Sequence, residues 1–355
     1  MTPPQKKIRV LIVDDSLLFR QTLASRLATD PAIEIVGTAV DSFDAMQKIK
    51  ALRPDAVTLD VEMPKMNGIE FLKRLIPIHP IPVIVVSSLP LNVLDALEAG
   101  AVDFVEKPKV QGGEDLQRFV RDLAGKLKIA ALAHVRMRPA PGAPPVPAPR
   151  KVSLLNSARN VSSLIAIGAS TGGTDAILEV VKNLPATTPG VVVVQHMPPV
   201  FTRMYADRLD KICPMKVKEA EDMDRVQRGR ILIAPGGFQL RVAKDVNGYY
   251  VRLSEQGVKL NGHCPSVTVM FDSVAPIAGK NAIGVILTGM GADGAQGLLN
   301  MRQAGAYTIG QDKDSCVVYG MPQAAYNMGA VAKQAPLDKI AGEIISRLNA
   351  GSLNG

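Results

Sequence analysis

The sequence predicts two α/β domains, each built on a doubly wound, mostly parallel sheet. Short apolar runs alternate with helical patterns in both halves of the chain, which is typical of parallel sheets covered by helices. A proline-rich stretch over 138–150 separates the halves and cannot form regular structure. The 355 residues, 47% of them hydrophobic, suffice for two sizeable cores. We therefore expect domains over 1–128 and 161–350, joined by a linker over 129–160.

The first half contains five apolar runs that we predict to be strands. Each is followed by polar residues and then, for the first four, by a helical pattern, which favours a flavodoxin-like (βα)5 fold. The predicted strands are 8–13, 33–39, 55–59, 82–86 and 102–105. The predicted helices are 17–28, 43–52, 67–78 and 91–99, and a further helical pattern continues from residue 125 to about 137.

The second half repeats the alternation and adds an antiparallel hairpin. Asn247-Gly248 is a strong hairpin signal between two alternating runs, 239–243 and 249–253. The other predicted strands are 164–169, 191–194, 231–234, 282–287 and 306–309. The predicted helices are 174–184, 199–209, 266–274 and one that follows residue 294. The mixed-charge run 207–230 is interpreted as a solvated surface.

The net charge of +8 lies mostly in the linker. Residues 1–128 are neutral overall, 129–160 carry +5 and 161–355 carry +3. A nucleic-acid-binding protein should carry its basic patch on a folded face, so we expect no nucleic acid partner. The linker either sets how the domains dock or is a plain tether, and its composition favours the tether.

Nothing in the sequence indicates export or membrane insertion. No apolar run reaches the roughly 18–20 residues that span a bilayer, and the N-terminus lacks the apolar segment of a signal peptide. Cys213, Cys264 and Cys316 are scattered and form no C-x-x-C pair. We therefore expect a reduced, cytoplasmic protein without a structural zinc site.

Five polar residues follow strands in the first half: Asp14, Asp15, Asp60, Ser87 and Lys107. The carboxyl ends of parallel strands meet at one edge of a sheet, so these side chains should converge. Three carboxylates together require a cation, and their hard oxygen atoms suit Mg²⁺. The lysine and the hydroxyl would complete a site for a phosphoryl group, which one carboxylate could itself accept.

These residues resemble a response-regulator receiver domain over about 6–128. The motifs that carry the resemblance are Asp14-Asp15, Asp60 with Glu62-Met63-Pro64, Ser87, Phe104 and Lys107-Pro108. The resemblance implies that Asp60 is the phosphoacceptor. It also implies that Asp15, Asp60 and the Glu62 carbonyl surround Mg²⁺, with Asp14 acting through water.

The same resemblance assigns the remaining residues of this edge. Lys107 and Ser87 would bind the phosphoryl group, and Phe104 would be a switch aromatic. Aspartates that fall at loops by chance are the alternative, but five matching positions at strand ends argue against chance.

In the second half, the stretch Gly168-x-Ser170-x-Gly172 follows an apolar strand and precedes a helix. This spacing fits a nucleophile elbow, although such a turn is more often ordinary punctuation or a phosphate cradle. A dinucleotide site would need an acidic residue at the end of the next strand, where Gln195-His196 stands instead. A P-loop would need Gly-Lys-Ser/Thr, which does not follow.

Ser170, His196 and Asp293 come directly after, or a few residues beyond, three predicted strands. A serine hydroxyl needs a base, a histidine can be that base, and an aspartate can orient the histidine. The order Ser…His…Asp differs from that of α/β-hydrolases, which predicts a separate fold. Taken singly, His196 could be a core histidine and Asp293 a helix cap.

The second half resembles the chemoreceptor methylesterase catalytic domain. The motifs are Gly168-Ala169-Ser170-Thr171-Gly172-Gly173, Gln195-His196-Met197, Ala234-Pro235-Gly236-Gly237, Pro265-Ser266-Val267 and the run 287–294. The resemblance implies Ser170 as nucleophile, His196 as general base and acid, and Asp293 as orienter. Candidate oxyanion donors are backbone N–H groups at Thr171 and near Met290. No cofactor is expected for this step.

Cys264 departs from the family pattern, which often has a basic residue before Pro-Ser-Val. This affects substrate contacts and not the three catalytic candidates. A cysteine nucleophile beside His263 is a second, weaker hypothesis, because neighbours in sequence usually point apart. The alternative is a buried thiol at a helix start.

With the receiver in front, nearly the whole chain resembles the chemotaxis response-regulator methylesterase (CheB) family. The resemblance implies a phosphorylation-controlled esterase that acts on methylated chemoreceptors, with a chemotaxis histidine kinase as phosphodonor and deamidation of receptor glutamine as a second activity. The receiver would cover the esterase face until Asp60 is phosphorylated. Two alternatives stay open: a non-catalytic adaptor or DNA-binding regulator, and an esterase serving a receptor array unrelated to movement.

Overall fold

The computed structural model describes residues 6–63, 67–88, 90–108, 113–133, 135, 163–254, 257–260 and 262–353. The chain divides into two compact units, Met1–Val146 and Pro147–Gly355. Both contain parallel sheets with helices between their strands, so the predicted α/β class is confirmed. None of the helices in these ranges is long and apolar enough to cross a membrane.

The first unit is a five-stranded parallel sheet. Its strands are β1 (Ile8–Val13), β2 (Ile33–Ala39), β3 (Ala56–Asp60), β4 (Val83–Ser87) and β5 (Asp103–Glu106). Its helices are α1 (Leu17–Leu27), α2 (Ser42–Leu52), α3 (Gly68–Leu75), α4 (Pro90–Glu98) and α5 (Gly113–Ala130). The strand order β2-β1-β3-β4-β5 is that of flavodoxin-like sheets and brings the ends of β1, β3 and β4 side by side.

Side-chain caps explain where the helices begin. Ser16 accepts a hydrogen bond from the Phe19 N–H at the start of α1. Asp41 accepts from two N–H groups at the start of α2. Asn67 caps α3 in the same way.

The helix predicted up to about residue 137 is wrong at its end, because α5 ends at Ala130. There the backbone changes to shorter-range hydrogen bonds, from Leu132 N–H to the Ile129 carbonyl and from Ala133 N–H to the Ala130 carbonyl. The proline-rich segment 138–150 lies outside the described residues, as does Pro64 of the receiver motif.

The second unit has a seven-stranded parallel sheet and a separate hairpin. Its strands are β6 (Leu164–Ala169), β7 (Gly190–Gln195), β8 (Lys216–Glu219), β9 (Arg230–Ile233), β10 (Leu240–Asp245), β11 (Gly248–Leu253), β12 (Ala282–Ile286), β13 (Tyr307–Gln311) and β14 (Lys333–Ala335). Its helices are α6 (Gly173–Val181), α7 (Phe201–Ile212), α8 (Val267–Ala278), α9 (Ala295–Gln303), α10 (Met321–Asn327) and α11 (Leu337–Leu353).

The order β14-β13-β12-β6-β7-β9-β8 places β6 in the middle, between β12 and β7. Every residue of these three central strands is buried, which matches sequences that are apolar except for Gln195 at the end of β7. The antiparallel pair β10–β11 packs on α8, where the Ser273 hydroxyl accepts the Val242 N–H at 2.8 Å. The hairpin therefore supports the middle of α8.

The second unit differs from the sequence predictions at several places. The elements α10, β14 and α11 are not among the predicted ones. The run 207–230, predicted to be a solvated surface, contains the end of α7 and all of β8, where Val217 is buried between exposed or half-buried polar residues. The hairpin turn lies one residue earlier than predicted, because Asp245 pairs with Gly248 across a two-residue loop. The Asp245 carboxylate accepts the Asn247 N–H at 2.8 Å and closes that loop.

Candidate active site

Ser170 stands at the carboxyl end of the central strand β6, in a tight turn before α6. The Ser170 N–H donates to the Thr288 carbonyl at 3.0 Å, and the Ser170 carbonyl accepts the Gly173 N–H at 2.7 Å. Gly172 has φ +75°, a conformation that favours glycine. A Cβ on Gly173 would lie 2.1 Å from the Gln195 side-chain oxygen. The two glycines therefore allow the turn that exposes the serine hydroxyl.

His196 follows the neighbouring strand β7, and its ring bridges the serine and the aspartate. Its Nδ1 lies 3.1 Å from Ser170 Oγ, and its Nε2 lies 2.8 Å from Asp293 Oδ2. The His196 N–H also donates to the Ala169 carbonyl at 3.2 Å, which ties the ends of the two strands together. Only 10% of the His196 side chain is exposed.

Asp293 lies beyond β12, on the opposite side of β6, and its carboxylate binds the start of α8. Besides His196, its oxygens accept the Ser266 hydroxyl at 2.8 Å and the N–H groups of Val267 and Thr268 at 2.7 and 3.2 Å. Burial alone would raise the pKa of Asp293. The contacts with His196, Thr268 and Ser266 outweigh burial and hold that pKa well below its usual range.

The ionised Asp293 carboxylate can only accept hydrogen bonds, so His196 donates its Nε2–H to it. The Nδ1 lone pair then faces the Ser170 hydroxyl, as a general base requires. The three residues that the sequence predicts from separate strand ends therefore lie together, at the ends of three adjacent strands. This arrangement can activate the serine for acyl transfer.

The two candidate oxyanion donors lie near the serine. A Cβ on Gly289, the residue before Met290, would lie only 2.7 Å from the Ser170 Cβ. Within the described part of the chain the Met290 N–H has no acceptor. The carbonyl of Ser170, in the same peptide as the Thr171 N–H, accepts the Gly173 N–H at 2.7 Å and the Gln195 amide at 2.8 Å, which fixes that peptide. Their role as oxyanion donors stays a prediction.

Several supporting residues are absent from the sequence predictions. The Gln195 amide donates to the carbonyls of Ser170 and His196, at 2.8 and 3.3 Å. Gln311 accepts the Thr288 N–H at 2.8 Å behind the serine turn. Gln195 stands in a motif that carries the family resemblance, but no sequence signal assigns these contacts to Gln195 or Gln311, because the partners Ser170 and Thr288 lie far away along the chain.

The structure argues against the cysteine hypothesis. The ring of His263 stacks on His196 and not on the adjacent Cys264. Cys264 is half-buried, and burial raises the pKa of its thiol, which disfavours the nucleophilic thiolate.

In the first unit, the side chains of the predicted phosphoacceptor site also lie close together, at one edge of the sheet. Oxygens of Asp14, Asp15 and Asp60 all lie within 4.8 Å of one another. Lys107 Nζ lies 2.6 Å from Asp60 Oδ2 and 2.9 Å from Asp14 Oδ2. Burial raises the pKa of Asp14. Burial opposes the charge on Lys107, but the bonds to Asp60 and Asp14 prevail and raise its pKa.

The other predicted receiver residues lie close to this cluster or in the core. The Glu62 N–H donates to Asp60 Oδ1 at 3.0 Å, and the buried Ser87 hydroxyl donates to the Glu62 carboxylate at 3.2 Å. Phe104 is buried, and the Lys126 ammonium lies 5.1 Å from its ring centroid. Ser87 directly follows Val86, the residue that pairs with Asp60 between β3 and β4, so both residues lie at the same edge of the sheet.

Comparison with known proteins identifies a family for each of the two units. Residues 165–344 match the family described as CheB methylesterase, and residues 10–117 match the response regulator receiver domain. A protein-glutamate methylesterase/protein-glutamine glutaminase 2 from Syntrophomonas wolfei is 53% identical over 97% of this chain and 98% of its own length. A relative of the same kind from Syntrophotalea carbinolica is 51% identical over 97% and 98%.

The catalytic unit also has a similar solved structure. The crystal structure of the Thermotoga maritima CheB methylesterase catalytic domain is 39% identical, with a TM-score of 0.51, over 52% of this chain and 98% of that one. Because the match covers nearly the full length of both relatives, it includes both units of this chain. The chain therefore belongs to the CheB methylesterase family, with a response-regulator receiver domain ahead of the catalytic domain.

Proposed function

We propose that this chain is a phosphorylation-controlled serine esterase that hydrolyses glutamate γ-methyl esters on chemoreceptors and deamidates receptor glutamines. The observation that carries the proposal is the hydrogen-bonded array of Ser170, His196 and Asp293. It occurs in a chain about half identical to relatives named protein-glutamate methylesterase/protein-glutamine glutaminase. Its role would be sensory adaptation in chemotaxis.

Acylation begins when Ser170 Oγ attacks the carbonyl carbon of the ester. His196 Nδ1 takes the hydroxyl proton, and Asp293 stabilises the imidazolium that forms. The carbonyl oxygen becomes an oxyanion, and N–H groups at Thr171 and Met290 are the nearest candidates to bind it. These donors cost little reorganisation because hydrogen bonds to the carbonyls of Ser170 and Gly289 already fix both peptides.

The intermediate collapses when His196 returns its proton to the leaving group. Methanol leaves from an ester and ammonia leaves from a glutamine side chain, so both substrates give the same acyl-enzyme. Water then attacks the acyl carbon while His196 again accepts the proton, and a free glutamate side chain is released with Ser170 restored.

The receiver residues fit a magnesium-dependent phosphorylation site. Asp14, Asp15 and Asp60 supply hard oxygen ligands, and the Glu62 carbonyl is a further candidate. Bound Mg²⁺ would neutralise charge on the phosphoryl group as Asp60 accepts it. Lys107 already contacts Asp60, and it would contact the phosphoryl oxygens in the same way.

The proposed partners follow from this chemistry. A chemotaxis histidine kinase would supply the phosphoryl group, and methylated chemoreceptors would be the substrate. The receiver would restrict access to Ser170 until Asp60 is phosphorylated, so a chain that lacks 1–140 should have higher basal activity. The expected cytoplasmic location, and the expected lack of a nucleic acid partner, stay predictions.

Methanol release from methylated receptor membranes tests the proposal. The full chain should release methanol, and a phosphoryl donor with Mg²⁺ should raise the rate. Ser170→Ala should lower the rate at least about 1,000-fold, whereas Ser25→Ala, an exposed serine on α1, should not change it. Turnover by Ser170→Ala above about one hundredth of the parent rate would reject the mechanism.

A further inference from the structure

The imidazole of His263 lies flat against the proposed general base. The ring centroids of His196 and His263 are 3.8 Å apart, and the two planes differ by 7°. Both nitrogens of His196 are already engaged, one with Ser170 and the other with Asp293. His263 therefore contacts the part of His196 that these hydrogen bonds leave open, which is a face of the ring.

The backbone holds His263 firmly in this position. His263 and Leu260 exchange two N–H to carbonyl hydrogen bonds of 3.0 Å. The buried Gln239 amide donates to the His263 carbonyl at 2.8 Å, and its oxygen accepts the Ser266 N–H at 2.8 Å. Gln239 thus joins the residue stacked on His196 to the residue that binds Asp293.

His263 is neutral at the pH where the enzyme would work. Burial, together with the nearby His196, lowers the pKa of His263 from 6.5 to about 4. Lys259 acts in the same direction, and Asp293 opposes it. A neutral aromatic face attracts a cation placed over it. The imidazolium that forms on His196 during acylation would therefore meet a neutral ring, without charge repulsion.

We propose that His263 is a positioning residue, which holds the His196 ring between Ser170 and Asp293 and stabilises its imidazolium form by stacking. The inference rests on the proposed function, because it concerns the same serine and base. It differs from a simple packing role in one respect: a flat aromatic side chain should replace His263, and an aliphatic side chain of similar bulk should not.

Two variants of the full chain separate these roles. His263→Phe keeps a flat π face but has no titratable group. His263→Leu fills a similar space but has neither a π face nor a titratable group. A fluorophosphonate reagent measures activation of Ser170 directly and needs no receptor, with Ser170→Ala as the blank. Methanol release from receptor membranes gives kcat and KM, and thermal unfolding establishes that each variant is folded.

We expect His263→Phe to label within about twofold of the parent rate, and His263→Leu about tenfold more slowly. In methanol release, the loss in His263→Leu should fall on kcat and leave KM nearly unchanged. Equal rates in the two variants, whether both fast or both slow, would overturn the proposal. If the parent chain labels but releases no methanol, the proposed function fails, while the comparison of labelling rates still decides the role of His263.

Discussion

Asp293→Asn is the most informative single change at the candidate active site. The substitution keeps the size of the side chain but removes its charge and replaces one acceptor oxygen with an NH₂ group. Four donors now converge on the carboxylate: His196 Nε2–H, the Ser266 hydroxyl and the N–H groups of Val267 and Thr268. An asparagine cannot accept from all of them.

The structure allows two orientations of the new amide, and both are unfavourable. In the first orientation the NH₂ group takes the Oδ2 position. This NH₂ group then faces another donor, the Val267 N–H, and must donate to His196 Nε2. The ring proton then moves to Nδ1, and His196 can no longer accept the proton of Ser170. With NH₂ at the Oδ1 position, it faces the Thr268 N–H, and the imidazolium loses its ionised partner.

The expected losses follow from these contacts. The wrong tautomer of His196, or the loss of the charge at position 293, should lower kcat for methanol release about 1,000- to 10,000-fold at neutral pH, as in other serine hydrolases with this change. One buried N–H left without an acceptor should lower the free energy of unfolding by about 1–3 kcal/mol. The expected loss in kcat corresponds to a larger free energy than the expected loss in stability, which makes the two effects separable.

The assay compares Asp293→Asn with Asp272→Asn. Asp272 is an exposed aspartate on α8 that accepts a hydrogen bond from Asn300 at 2.8 Å and lies outside the candidate active site. Methanol release and urea unfolding are measured for both variants and for the parent chain. If Asp293→Asn keeps more than about a tenth of the parent rate, the orienting role assigned to Asp293 is refuted.

Three further predictions follow from other contacts. Asp60→Asn should abolish activation by a small phosphoryl donor with Mg²⁺ and leave basal methanol release unchanged; activation that persists would contradict the phosphoacceptor assignment. Gly173→Ala should lower activity about tenfold or more, because the Cβ of the alanine would lie 2.1 Å from the Gln195 side chain. Gly342→Ala should leave activity unchanged, because the space around Gly342 is open. The pKa of His263 is about 4 in the folded chain and 6.5 as its reference value, so the unfolded chain binds the extra proton between these pH values. The parent should therefore lose about 1–2 kcal/mol of unfolding free energy as pH falls from 6.5 to 4, after allowing for solvent screening, and His263→Phe should lack that loss; parallel pH curves for the two proteins would contradict it.

The sequence predicts the catalytic candidates because parallel strands end at one edge. Ser170, His196 and Asp293 each follow an apolar run, and the strand-end rule alone brings them together. The rule does not say which strands are neighbours. β12 lies beside β6 although more than a hundred residues, including the hairpin, separate them along the chain. That adjacency comes from the packed sheet and has no local signal.

The supporting residues could not be predicted, because their partners are distant in sequence. His263 contacts His196 across 67 positions, and nothing in the loop around it indicates an aromatic stack. β8 was missed for a different reason: Lys216 to Glu219 offers one buried apolar side chain among three polar ones. The missed helix α11 did carry a signal, since Ile340, Ile344 and Leu348 are buried at helical spacing.

The structure also decides between the two readings of the turn at 168–173. A phosphate cradle needs several backbone N–H groups that converge on one ligand. Here the Ser170 N–H is bound to the Thr288 carbonyl, and the Gly173 N–H is bound to the Ser170 carbonyl. Because both N–H groups are already bound to carbonyls, the candidate reactive group of this turn is the Ser170 hydroxyl, which faces His196 at 3.1 Å. The phosphoryl chemistry is predicted instead at Asp60, where an ammonium and two further carboxylates lie within reach.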